Sequence, residues 1–326
     1  MPEPLATDAL LSPPLLVTGA ILVDLLIGDP RIGLHPIRLL GLWARLWEYA
    51  LIGGGLRGRL GGIMHWLLVV GGACAAWELP RVLLGNRTDW GPAVWDVLIA
   101  GLLLCSRDLL GHARAVGRNL DELLMAREMV ARMVGRDTLT MDRPAVVRAS
   151  IESLAENLVD GVVTPLLALG LFGLPGLIVV KAISTLDSMV GYRNERYERF
   201  GWAAARSDDL IHWLPARLSV LIIALAARLG RLRARAAIGT ALLWHRMLAS
   251  PNSGWSEAAY AGALHVRLLG PIVKNGTLIN EAFLGNPEWP SELGRAHLDQ
   301  ALRLTALCIL LSSLLGPELF LDEKER

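Results

Sequence analysis

Six apolar runs constrain the fold of this chain more than any other feature of its sequence. The first three approach the roughly 17–25 residues that a helix needs to span a bilayer, once their flanks are included. The fifth is short for a span, because Arg217 and Arg228 enclose only about ten uninterrupted apolar residues. The runs are 14–28, 63–79, 92–106, 162–183, 214–229 and 301–316. They predict an all-α, polytopic bundle of membrane helices.

Composition favours the same class. The 326 residues are 53% hydrophobic and 19% charged, whereas soluble domains show about 45–50% and about 25%. Tryptophans 66, 77, 90 and 95 gather at the ends of apolar runs, as in an interfacial belt. A soluble helical core is the alternative. A net charge of +1 without a basic stripe argues against nucleic acid as a partner. We predict one multi-pass domain over residues 1–326 in the inner cell membrane.

The fourth run differs because glycine and proline interrupt it at "GLFGLPG", residues 170–176. Each half has about ten residues, or about 15 Å of helix, against a hydrocarbon core of about 30 Å. We therefore predict a re-entrant hairpin of two half-helices that returns to the cytoplasm. Lys181, in the returning half, would then approach the site instead of facing lipid. The polar segments between the runs are predicted to be cytoplasmic and helical.

An acidic strip lies in "SIESLAENLVDGVVTP", residues 150–165, where Glu152, Glu156 and Asp160 stand at intervals of four. In a helix they occupy a strip about 80° wide. Like charges at this spacing destabilise a helix by a few tenths of a kcal/mol each. A cation on the strip, Mg²⁺ or arginine, would offset that repulsion. A solvated acidic face is the alternative.

A second cluster lies in "STLDSMVGYRNERYERFGWAAARSDDL", residues 184–210. Its arginines and acids can form an ion-pair network or a phosphate clamp, since the guanidinium fork matches phosphate oxygens. Both interpretations stay open. The candidate residues are Arg193, Asn194, Glu195, Arg196, Asp208 and Asp209.

A third motif, "SPNSGWSEAAYAGALHVRLLG" at 250–270, is typical of a turn followed by a helix. Ser253 is placed to cap that helix, and with Asn252 it could bind an anion at the helix N-terminus. A simple capped helix is the alternative. The sequence contains neither a Walker A loop nor GxGxxG, so a nucleotide site would be of another kind.

Together with "GDPRIGLHPIRLLG" at 28–41, these motifs resemble the adenosylcobinamide-phosphate synthase family, the CobD/CbiB-type membrane proteins of cobalamin biosynthesis. The resemblance runs from about residue 14 to "GNPEWP" at 285–290. It implies that a propionate of adenosylcobyric acid is joined to the amine of aminopropanol phosphate. ATP would be consumed in this reaction, and Mg²⁺ would be required for the use of ATP. Threonine phosphate is an alternative amine. An acyl phosphate would activate the carboxylate.

The implied chemistry gives the motifs roles. The acidic strip, Glu152, Glu156 and Asp160, would hold Mg²⁺. A base must deprotonate the attacking amine, and the carboxylates of Glu195, Asp208 and Asp209 are the candidates. Substrate and phosphate binding is expected from Arg193, Arg196, Asn194, Lys181, Asn252 and Ser253. A membrane transporter and a non-catalytic signalling relative of the same fold are the competing functions. Whether the protein forms a homo-oligomer stays open.

Overall fold

The computed structural model describes residues 12–30 and 33–318, with side chains to residue 314, so Arg31 and Ile32 of the first motif lie outside the described residues. The chain is mainly helical and divides into two compact units. The first comprises Met1–Cys105, Pro165–Ile211 and Ser313–Arg326, and the second Ser106–Thr164 and His212–Ser312, as far as each is described. A single integral-membrane domain over 1–326 stays a prediction.

The first unit is built from six helices. They are α1 (Pro13–Ile27), α2 (Pro36–Gly53), α3 (Arg59–Gly85), α4 (Gly91–Leu103), most of α8 (Thr164–Val190) and α9 (Trp202–Ile211). Its core joins α2, α3, α8 and α9 through buried side chains such as Ala44, Val69, Ile183 and Ala204. Gly62 allows a close approach, because a Cβ there would stand 1.9 Å from the Phe200 carbonyl oxygen.

Helix α8 is broken where the sequence predicts a break. Gly173 has φ 65° and ψ −161°, outside the helical region, and Pro175 follows it. Glycine tolerates this positive φ, and proline cannot supply the N–H that a continuous helix requires. Helix α8 is therefore interrupted at Gly173. The return of the second half to the same side of a membrane stays a prediction.

The second unit surrounds one buried helix. Its elements are α5 (Ser106–Arg118), α6 (Leu123–Val130), α7 (Arg143–Leu158), a π-turn (Val159–Val163), α10 (Trp213–Leu229), α11 (Ala234–Trp244), a 3₁₀ turn (His245–Met247), α12 (Ser253–Leu264) and α13 (Arg295–Glu318). Helix α12 packs against α7, α10 and α11. Small residues allow this, since a Cβ on Gly262 would stand 2.2 Å from the Ala236 carbonyl oxygen on α11.

Four short strands lie in the second unit, so the all-α prediction is wrong in this detail. β1 (Leu268–Leu269) pairs antiparallel with β4 (Phe283–Leu284), and β2 (Ile272–Lys274) pairs with β3 (Thr277–Asn280). Asn275 and Gly276, with φ 51° and 73°, form the turn between β2 and β3. Two positive-φ residues are the requirement of a tight hairpin turn, and Asn-Gly is the pair that meets it most often.

Three helical stretches in the described chain are long and apolar enough to cross a membrane: Arg59–Gly85, Arg143–Val190 and Trp202–Leu229. The run at 214–229, which the sequence alone predicts to be short for a span, lies in the 28-residue stretch Trp202–Leu229, which takes in α9 as well as α10. The first run forms the shorter apolar helix Pro13–Ile27. The run at 92–106 is helical as far as Leu103, the end of α4, and the run at 301–316 lies within α13.

Candidate functional site

The acidic strip lies in the second unit, and its three carboxylates have different surroundings. Asp142 caps α7 by accepting a 2.8 Å hydrogen bond from the Ala145 N–H. Glu152 is buried within the helix, whereas Glu156 is exposed one turn later. Asp160 stands on the π-turn that follows the helix, with its side chain 44% exposed. Such π-turns are frequent at functional sites.

Glu152 has two partners, and both are distant in sequence. One carboxylate oxygen accepts from the Arg136 guanidinium, and the other accepts from the Leu269 N–H at 2.7 Å. Arg148, one turn earlier, donates to the Leu269 carbonyl oxygen at 3.0 Å. Leu269 has φ 59°, a conformation that L-residues rarely adopt. Helix α7 therefore holds both backbone groups of this strained residue.

The cation that offsets the negative charge of the acidic strip at Glu152 is therefore the guanidinium of Arg136. Burial lowers the pKa of Arg136, but the fields of Glu152, Glu257 and Glu156 outweigh it, and the pKa is raised above its ordinary value. No three described His, Cys, Asp or Glu side chains are grouped so as to hold a metal ion. A Mg²⁺ cage made of protein ligands alone does not fit this strip. A Mg²⁺ that keeps water and phosphate ligands and touches one or two carboxylates stays a prediction, with the exposed Glu156 and the half-exposed Asp160 as its candidate ligands.

Glu257 is an acidic group that no sequence pattern singled out. It lies on α12, almost fully buried, and its Oε2 has no hydrogen-bond partner among the described residues. Burial first, and then the charges of Glu152 and Glu156, raise the pKa of Glu257 well above its ordinary value, although Arg136 opposes them. A buried carboxyl with a raised pKa is a property of many functional sites.

Asp160 and the residue that precedes α10 face one another within the second unit. His212 Nδ1 lies 3.4 Å from an Asp160 carboxylate oxygen and 2.8 Å from Thr164 Oγ1. The imidazole is buried. No local sequence pattern predicts the contacts of His212 with Thr164 and Asp160. Thr164 alone lies 48 positions before His212.

The "SPNSG" turn leads into α12 as predicted, but with a different cap. Asn252 occupies the N-cap position and makes no side-chain capping bond, and Ser253 is the first helical residue. The backbone N–H groups of both residues donate to Ser250 Oγ, at 3.2 and 3.3 Å. The expected cap by Ser253 is therefore wrong. Anion binding by Asn252 and Ser253 stays a prediction.

The second cluster lies in the first unit and borders a pocket of about 890 Å³, which we name the basic cavity. Asn194, Glu195 and Arg196 line it. Arg57, Glu198 and Arg199 line it too, so that three guanidinium groups and two carboxylates border one cavity. None of these last three residues was singled out from the sequence, and Arg57 lies too far along the chain to be associated with the cluster by pattern.

Glu48, on α2, fixes one arginine of the basic cavity. Its Oε1 accepts hydrogen bonds from Arg196 Nη2 and from the Tyr197 hydroxyl, both at 2.7 Å. Burial and then the hydrogen bond to Glu48 raise the pKa of Tyr197. Arg196 therefore has a structural ion pair, and the side chain is still 64% exposed. Arg193 is exposed and does not line the cavity.

The remaining predicted residues of the first unit lie elsewhere. Asp208 and Asp209 are on α9, where Asp209 lies 3.9 Å from Arg206 in a loose exposed pair. Neither lines the basic cavity. Lys181, on α8, lines a separate cavity with apolar walls. The structure thus groups Glu195 with the basic cavity and separates Lys181 from it. The catalytic and binding roles of all these residues stay predictions.

Comparison with known proteins identifies the family. The model of the family described as CobD/Cbib protein matches residues 17–305. Relatives called "Cobalamin biosynthesis protein CobD" include one from Rhodobacter capsulatus, 45% identical over 81% of this chain and 84% of its own length. The relative from Geobacter metallireducens is 42% identical over 84% and 87%, and that from Yersinia enterocolitica 36% over 91% and 94%. No solved structure matches the chain. The chain therefore belongs to the CobD/Cbib protein family of cobalamin biosynthesis.

Proposed function

We propose that this protein is an adenosylcobinamide-phosphate synthase of the inner cell membrane. It joins adenosylcobyric acid to aminopropanol phosphate, or to threonine phosphate, and consumes ATP in forming the amide. The family match over residues 17–305 carries this proposal. The fold adds support, because helices long enough to cross a membrane alternate with polar segments that carry acids and arginines.

The basic cavity is the proposed site for the phosphate of the amine substrate. Arg57, Arg196 and Arg199 supply positive charge and guanidinium forks, which suit phosphate oxygens. Glu48 holds Arg196 in one orientation, so less rotamer freedom is lost on binding. The volume of about 890 Å³ is within the usual range of small-molecule sites. Arg193 is exposed and directly precedes Asn194 in the sequence. Its positive charge would attract the substrate phosphate from a distance.

The acidic strip is the proposed site for the metal and nucleotide phosphates. ATP with Mg²⁺ supplies the activation that a carboxylate needs before an amine can displace its oxygen. Glu156 and Asp160 are accessible to a hydrated metal. Glu152 is engaged by Arg136 and Leu269, so its role is to position the strip and the β1 strand. Asn252 and Ser253, at the start of α12, are kept as candidate phosphate contacts.

Glu257 joins Glu195, Asp208 and Asp209 as a candidate proton acceptor for the amine. A base works best when its pKa approaches the working pH. Burial moves the pKa of Glu257 in that direction. Its Oε2 is buried and accepts no hydrogen bond from a described residue. We place Glu257 first among the four.

The decisive experiment is an assay of the purified protein in detergent with adenosylcobyric acid, Mg-ATP and each phosphorylated amine in turn. We expect the amide product by mass spectrometry, and none when ATP, Mg²⁺ or the amine is omitted. No product with either amine would reject the synthase. Uptake of the corrinoid into protein-containing liposomes without amide product would instead favour the transporter. Binding of the corrinoid with neither uptake nor amide product would favour a non-catalytic relative.

A further inference from the structure

A second pocket lies in the first unit, apart from the basic cavity, and we name it the apolar cavity. Its volume is about 450 Å³, and α2, α3, α4 and α8 all contribute to its wall. Nearly the whole wall is apolar, with leucine, isoleucine, alanine and tryptophan side chains. Small-molecule sites of this kind are mostly apolar and carry a few placed polar groups. Here the one charged side chain in the described wall is Lys181.

The other polar groups in the wall are already engaged within the protein. The indole N–H of Trp43 donates to the Leu68 carbonyl at 3.1 Å, and that of Trp95 donates to the Trp77 carbonyl at 3.1 Å. The indole N–H of Trp77 donates to Asp96 at 2.9 Å. These three donors therefore have no need of a ligand, and the tryptophan rings present apolar surface.

The ammonium of Lys181, in contrast to these indole groups, is not hydrogen-bonded within the described part of the protein. Among the described residues no carboxylate lies within ion-pair distance of its ammonium, and no acceptor lies within hydrogen-bond distance. Asp96, on α4, is bound by Trp77 and by Arg81 at 3.2 Å. An ammonium among apolar side chains is costly unless an anion accompanies it. The half-buried Lys181 thus offers a positive charge to an anion in the cavity.

The position of the apolar cavity indicates the source of that anion. Its α3 wall, from Gly72 to Trp77, lies in the interior of Arg59–Gly85, a helix long and apolar enough to cross a membrane. Only 11% of the most apolar window of that helix is buried within the protein. Much of its remaining surface is therefore accessible to a bilayer. A ligand that reaches this wall from a bilayer needs an apolar body and an anionic head.

We propose that the apolar cavity binds one anionic membrane phospholipid, with an acyl chain along the tryptophans and the headgroup phosphate on Lys181. Basic pockets between membrane helices bind anionic headgroups by this combination of charge and apolar contact. The proposal does not rest on the synthase activity, because the basic cavity and the acidic strip contribute nothing to this wall.

Native mass spectrometry of the full chain in detergent tests the site, with phosphatidylglycerol and phosphatidylcholine of identical chains as probes. We expect one retained phosphatidylglycerol, favoured about five- to tenfold over phosphatidylcholine. Lys181→Met keeps the apolar stem and should abolish the preference, whereas Lys181→Arg should keep it. Lys274→Met, on the exposed end of strand β2, is the matched control and should behave as the wild type.

Four outcomes would overturn the proposal. Equal retention of both lipids by the wild type would show that the protein does not discriminate headgroup charge. An undiminished preference in Lys181→Met would remove the ammonium from the site. Displacement of the lipid by glycerol phosphate at similar concentration would show a phosphate site without an acyl chain. Ala73→Phe, which fills the wall, should weaken both lipids at an unchanged melting midpoint, and unchanged binding in that variant would place the lipid elsewhere.

Discussion

Removal of Arg136 provides the sharpest test of how the acidic strip is stabilised. The Arg136 and Glu152 side chains are only 16% and 4% exposed, so their ion pair is largely buried. Arg136→Met leaves the Glu152 carboxylate buried, with the Leu269 N–H as its remaining described donor. Loss of one partner of a buried pair costs about 3–5 kcal/mol. We expect a loss of about 3 kcal/mol, at the lower end of that range, because the backbone hydrogen bond persists.

The double variant Arg136→Met/Glu152→Gln separates the ion pair from general damage. It removes both charges, and the glutamine oxygen can still accept from Leu269. We expect it to recover most of the loss, because a neutral pair leaves no uncompensated charge. The control is Arg295→Met, whose partner Asp121 is 83% exposed, and such surface pairs contribute about 0–1 kcal/mol.

The assay is thermal unfolding in one detergent, followed by tryptophan fluorescence. Arg136→Met should melt several degrees below the wild type, the double variant near it, and Arg295→Met within about a degree or two. If the single variant melts with the wild type, or the double variant no higher than the single, the buried-pair reasoning is refuted.

Three further predictions concern the proposed synthase. Glu257→Gln should lower kcat. Ionisation of the buried Glu257 opposes folding of the wild type, so the melting midpoint of the variant relative to the wild type should rise as the pH increases above about 4.3, the ordinary carboxyl pKa. A difference in melting midpoint that does not change with pH would contradict the raised pKa. Arg199→Lys should raise KM for the phosphorylated amine more than Arg206→Lys, which lies outside the basic cavity, and equal values would reject that phosphate site. In a background without native cysteines, Thr140→Cys and Ser188→Cys, both at exposed positions, should react with an impermeant reagent from the cytoplasmic face alone, and outside labelling of either would defeat the re-entrant hairpin.

The sequence determines the helices and the family of this protein. Apolar runs such as 63–79 lie within helices because a long apolar segment satisfies its own backbone groups only as a helix in a bilayer. The break at Gly173 follows from glycine and proline, whose backbone limits are local. The turn at Asn275–Gly276 was also within reach, because Asn-Gly is a local hairpin signal. The prediction of an all-α fold missed it.

Only the tertiary structure decides the electrostatics of the site. The strip looks like three equivalent acids in the sequence, yet Glu152 is paired through contacts that reach Leu269, 117 positions away. Glu257 looks like an acid in the first turns of a capped helix, and becomes buried because α12 lies among three other helices. Arg57 joins the basic cavity from a different part of the chain. Charge state and burial depend on which segments pack together, and a periodic pattern describes one segment at a time.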